Sequence, residues 1–162
     1  MKKITALLIG GLFSALSGNI VMAGEHVYPI SPVYKEECAS CHVAYPPGLL
    51  SAASWRAVMA GLDRHFGSDA SLDAAKAKEI SQFLEANAAR NTKYSSVDAK
   101  GKPLLRMTEG AWFLREHRDG NDGLSRAVWS LPTVKSPANC AACHRGAEQG
   151  SYAESEIRLP RS

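Results

Sequence analysis

Apolar residues recur at helical spacing in several stretches of this chain and alternate strictly in none, so the pattern predicts a mainly α fold without strands. Glu25 to Ile30 reads as an extended arm. Ser31-Pro32 then has the form of an N-cap followed by proline at the first helical position. Val33, Tyr34, Cys38 and Cys41 continue at helical spacing, with Glu36 and Glu37 early enough to favour the helix dipole. Tyr45-Pro46-Pro47-Gly48 is a turn that leads away. Ser54 is placed to cap a helix whose stripe is Trp55, Val58, Met59, Leu62 and Phe66, ended by Gly67. Ser71 begins another, with Ile80, Phe83, Leu84 and Asn87 on its buried face and Lys76 and Lys78 in solvent. This unit closes near Ala89.

From Arg90 to Pro103 the pattern becomes polar and weakly periodic, as in a linker. Thr108 is a candidate cap for a short helix carrying Trp112, Phe113, Leu114 and His117. Asp119-Gly120-Asn121-Asp122-Gly123 is a turn, Val128 and Trp129 are apolar, and Pro132 and Pro137 restrict the approach to Asn139-Cys140. The tail beyond Gly150 is polar and is expected to wrap over the surface. The division that follows is a leader over 1–23, a first unit over 24–90, a linker over 91–107 and a second unit over 108–162.

The leader changes the compartment. Met1-Lys2-Lys3 is basic, Ile4 to Val21 is apolar and small, and Val21-Met22-Ala23 offers a signal-peptidase site, so cleavage after Ala23 and a periplasmic location are expected. A retained anchor is the rival reading, weakened by Ser14, Ser17, Gly18 and Asn19 within the apolar run. Charge excludes more than it identifies. Removing Lys2 and Lys3 from 19 basic residues leaves near balance with 16 acidic ones, which is no nucleic-acid-binding surface.

The chemistry lies in a repeated motif. Cys38-Ala39-Ser40-Cys41-His42 recurs as Cys140-Ala141-Ala142-Cys143-His144, and these use all four cysteines of the chain. Cys-x-x-Cys-His is the attachment signature of c-type haem. Two thiols on one turn can add to the two vinyl groups of one haem, and the following histidine then offers its imidazole to the iron. Paired disulfides would not need the histidine. A zinc site of four thiolates would have to join distant pairs and would leave both histidines unexplained. Two covalently bound haem c groups are therefore expected, held by Cys38, Cys41, Cys140 and Cys143, with His42 and His144 on the iron. They would supply much of the apolar core that a short chain lacks.

Three of the five histidines remain for the opposite faces. His65 lies at the turn between the two helices of the first unit, across the haem from the first motif. His117 precedes the glycine-rich turn, upstream of the second. These are the expected distal ligands. Met59 shares its helix's apolar stripe and reads as core, whereas Met107 stays open as an alternative for the second haem. His26 lies close to the cleavage site in the arm.

The runs Tyr34-Lys35-Glu36-Glu37-Cys38, His42 through Leu50, Ser54-Trp55-Arg56, His65-Phe66-Gly67 and Ser136-Pro137-Ala138-Asn139-Cys140, with Ala147-Glu148-Gln149-Gly150, resemble the bacterial dihaem cytochrome c family over nearly the whole mature chain. The resemblance implies two small helical haem-binding units with extensive loops, the first cytochrome c-like. It implies a soluble periplasmic electron carrier with bis-histidine haems, and it supports His65 and His117 as distal ligands. The partners it implies are a small oxygen-binding monohaem cytochrome c and a membrane b-type cytochrome; a monomer with no small-molecule substrate is expected. Irons with two protein ligands have no position left for substrate, so the expected protein is no enzyme. The competing class is a peroxidase-like dihaem oxidoreductase with one displaceable ligand.

Overall fold

Ser31 opens the first helix as its position before Pro32 requires. In the computed structural model, which describes residues 27–90, 93–94, 97–98 and 100–160, α1 runs Pro32–Cys38 and the Ser31 hydroxyl accepts the Tyr34 amide at 3.1 Å. The leader and His26 lie outside the described residues. Because α1 begins at Pro32, Glu36 and Glu37 fall in its second turn and not its first. Glu37 instead pairs with Lys76, so that lysine ties two helices together rather than standing free in solvent.

The second helix differs from expectation at both ends. α2 spans Ala52–Met59 and is capped by Ser51, whose hydroxyl accepts the Ser54 amide at 3.1 Å. Ser54 itself is buried and bonds Ser51 through its hydroxyl at 3.0 Å. Past Met59 the chain tightens into a 3-10 turn, Leu62–Arg64. Phe66 then takes φ 51 and Gly67 φ 99. A 3-10 turn keeps nearly the spacing of a helix, so the apolar stripe runs on in the sequence after the helix has stopped. Phe66 is left 46 % exposed.

α3 spans Ala74–Ala86, with Asp73 and not Ser71 as its cap, its carboxylate accepting the Ala75 and Lys76 amides. Its inner face is as expected: Ile80 is fully buried and Leu84 nearly so, against α2. The Ala89 amide returns to the Leu50 carbonyl at 2.9 Å. Beyond it, Asp98 caps a turn by accepting the Lys100 and Lys102 amides, and Tyr94 meets Trp112 edge-on at 4.9 Å. After a 3-10 turn at Met107–Glu109, α4 spans Ala111–Glu116. Gly110 is its N-cap, displacing Thr108, and His117 is its C-cap.

Two apolar clusters result. The larger joins Tyr34, Leu50, Trp55, Ile80 and Leu84 to Met107, Trp112 and Phe113, so it draws on residues from both sides of the polar stretch. The smaller is Leu124, Val128 and Val134, with Trp129, Ala142 and Leu159 against it. The tail does more than wrap. Its Arg158 amide bonds the Cys143 carbonyl at 2.9 Å, Ala153 is buried, and Leu159 enters the second cluster. Near the other end, the Tyr28 amide bonds Gly150 O at 2.9 Å. Gly150 has φ 78, and a Cβ there would lie 2.5 Å from the Tyr28 carbonyl, so only glycine fits. Among the described residues, β pairing is confined to isolated bridges; the fold is mainly α.

Candidate haem-binding sites

Cys38 is the last residue of α1, and the chain turns immediately after it, presenting Cys41 at the surface and His42 inward. The His42 Nδ1 lies 2.7 Å from the Val43 carbonyl. A carbonyl only accepts, so Nδ1 carries the proton and the other ring nitrogen keeps its lone pair for a metal. Tyr45 stacks on the same ring, centroids 4.4 Å apart and 15° from parallel. The expected turn away from the motif therefore first folds back over the histidine. Its hydroxyl donates to the Ala138 carbonyl at 2.8 Å, and Tyr34 donates to the Tyr45 carbonyl at 2.9 Å. Facing His42 is His65, its ring centroid 6.1 Å away and its plane turned by 31°. A cavity of about 820 Å³ adjoins them, lined among others by Cys38, Cys41, Trp55, Met59 and Met107, and reaching Cys140.

The second site is built from three parts of the chain. A 3-10 turn at Cys140–Ala142 carries the motif. His144 faces His117 with centroids 6.2 Å apart and planes at 60°. Its position at the end of α4 lets the His117 Nδ1 donate to the Phe113 carbonyl at 3.0 Å, while the ring stacks on Phe113 at 3.9 Å and 14°. Tyr152, from the tail, lies 5.1 Å from the His144 ring.

These residues fit the group that the motifs imply. An iron bound by two imidazole nitrogens at about 2 Å each, the usual metal–histidine length, separates the ring centroids by roughly 6 Å. Both pairs stand at that separation. Burial holds His65, His117 and His144 below the usual histidine range, with His42 adding to the effect on His65 and His117 to that on His144. A lowered pKa keeps each imidazole neutral, the form that ligates. Burial pushes the Cys38 and Cys140 thiols up to about 11. All four cysteines are free of disulfides. In the second site the buried Nδ1 of His144 has no protein partner, and the Tyr152 hydroxyl has only the Cys140 sulfur beside it, a weak one. Among the described residues no three His, Cys, Asp or Glu side chains converge, as a protein-only zinc site would need.

Several residues of the sites were not signalled by the motifs. The sequence places Tyr45 in a turn, Tyr152 in the tail, Phe113 on a short helix and Arg106 in the linker. Arg106 places its guanidinium 4.1 Å over the Phe66 ring and lines the first cavity. Met59 is a partly buried neighbour of the first cluster, and Met107 is buried within it.

The profile of a family described as dihaem cytochrome c matches residues 34–152. Among solved structures, the chain is similar to a dihaem cytochrome c from Rhodobacter sphaeroides, 40 % identical, covering 78 % of this chain and all of that one, with a TM-score of 0.67. It is also similar to the dihaem cytochrome c of Shewanella baltica OS155, 36 % identical over 82 % of this chain and 94 % of that one, with a TM-score of 0.65. No curated protein matches.

Proposed function

The chain belongs to the dihaem cytochrome c family and carries two c-type haems, and from that premise we propose that it is a periplasmic electron carrier with both irons closed by protein ligands. The observation that supports this most directly is the pair of imidazole couples at 6.1 and 6.2 Å. In this reading Cys38 and Cys41 hold the first haem between His42 and His65. Cys140 and Cys143 hold the second between His144 and His117. Bound haem supplies an iron that takes up or releases one electron. The protein's own part would be to offer two imidazoles to each iron, so that no site remains for a substrate, and to set the potential. Imidazole in place of a thioether lowers that potential. The carbonyls of Val43 and Phe113 fix the tautomers of His42 and His117 and make both nitrogens better donors.

A carrier must release its partner quickly, so its interface should be at the small end of the range for protein complexes. The partners that the family resemblance suggests are a small oxygen-binding monohaem cytochrome c and a membrane b-type cytochrome. No helix among the described residues is long and apolar enough to cross a membrane. The reading includes a mature chain starting at Gly24, which intact mass spectrometry of the exported protein tests.

Reductive titration with optical and spin-resonance detection tests the carrier itself. Two low-spin bis-imidazole signals and little binding of carbon monoxide are expected. Prompt, stoichiometric binding at one haem in the native protein would favour the peroxidase-like class instead.

A further inference from the structure

His65 and His117 offer the same donor on different supports. His117 ends α4, with its Nδ1 on the Phe113 carbonyl and its ring flat on Phe113. His65 sits on a tight turn closed by the Ser68 amide on its own carbonyl at 3.0 Å. Its ring contacts are His42 across the cavity and the edge of Phe66 at 4.9 Å. Phe66 has φ 51, a conformation that is costly for a bulky side chain and persists only where neighbours impose it.

The neighbour here is Arg106. Its guanidinium covers the Phe66 ring at 4.1 Å, and Glu109 flanks it at 3.7 Å. The backbone that carries Arg106 is anchored by buried Leu104 and Met107. Beside His65 lies a second cavity of about 230 Å³, lined by Ala57, Val58, Gly61, Arg64, Phe66 and Leu105. It is ample for one imidazole ring. The turn thus has room beside the ring, and through Phe66 a contact with Arg106 that braces it.

We propose that Arg106 and Phe66 form a latch that keeps His65 on the first haem, and that releasing it opens this haem to a small uncharged ligand such as carbon monoxide. The inference rests on His65 being the distal ligand of that haem. Arg106 lines the first cavity beside His65, and in this scheme it is a positioning residue that acts on the histidine through Phe66. With haem bound, opening would exchange the dative bond from the His65 imidazole for one from the carbon of carbon monoxide, with no electron or proton transferred.

Stopped-flow mixing of the reduced two-haem protein with carbon monoxide tests the latch in Arg106→Gln, Phe66→Leu, the double variant and Arg106→Lys. Each of the first two should bind at one haem about two- to fivefold faster than the native protein, the factor an exposed cation–π contact is worth. The double variant should be no faster than the faster single one, since both remove the same contact. Arg106→Lys, which keeps a cation over the ring, should stay near the native rate. Unchanged single variants, or effects that multiply in the double, would overturn the latch. So would a gain at the second haem, identified by its match to the adduct of His117→Ala rather than His65→Ala. Two intact low-spin signals in His65→Ala would instead sink the ligand assignment beneath it.

Discussion

The larger apolar cluster stands behind both proposed distal histidines, yet of the two His117 is the more firmly supported and His65 the less. Leu50, Trp55 and Leu84 give the first site a dense wall, but His65 stands at the rim on a turn whose neighbour Phe66 is half in solvent. His117 follows α4, whose Trp112 and Phe113 belong to that same cluster, and is fixed by the last turn of the helix and one stacked ring. Buried area sets how firmly a region resists unfolding; a ligand's lifetime on its metal depends on the few contacts that orient its ring.

The largest test of that contrast removes the ligands. His65→Ala and His117→Ala should each convert one low-spin haem to a form that binds carbon monoxide and leave the other nearly as it was. His26→Ala should alter neither spectrum. Next comes the core. Ile80→Ala should cost about 2–5 kcal/mol of stability in urea titrations of the oxidised holoprotein, the range for emptying a fully buried aliphatic site. Val134→Ala, in the smaller cluster, should cost less, and a larger loss there would reverse the ranking of the two cores.

Phe113→Leu removes the stack and should make the second site resemble the first. The expected gain is about two- to tenfold in carbon monoxide binding at that haem, the worth of one aromatic pair. An unchanged rate would mean that the hydrogen bond alone holds His117. The mildest test perturbs nothing. Imidazole planes at 31° and 60° split the iron d orbitals differently, so the oxidised protein should show two distinct low-spin resonances, and a single superimposed signal would deny the difference in ring orientation.

Much of this was legible in the chain. The haem motifs, the Ser31-Pro32 helix start, the inner face of α3 and the turn at 119–123 follow from local chemistry, because each depends on residues a few positions apart. What was not legible depends on distant partners. Nothing near Lys76 announces Glu37, and nothing in a polar tail announces that Leu159 joins Val134. The helix that was expected to run to Gly67 stops at Met59 because a 3-10 turn preserves the spacing while redirecting the side chains. The histidine pairs were legible as candidates only; their separation is a tertiary quantity.

The bond from Tyr45 to Ala138 spans 93 residues, and the pairing of Tyr28 with Gly150 encloses still more of the chain. Closing loops of that length costs entropy before any contact repays it, so both form late in folding. Until then the segments that carry the two motifs are unclamped, and all four thiols stay open to haem attachment. A residue larger than glycine at 150 would leave the motifs untouched but block this final closure, giving a chain that acquires its haems and then fails to lock.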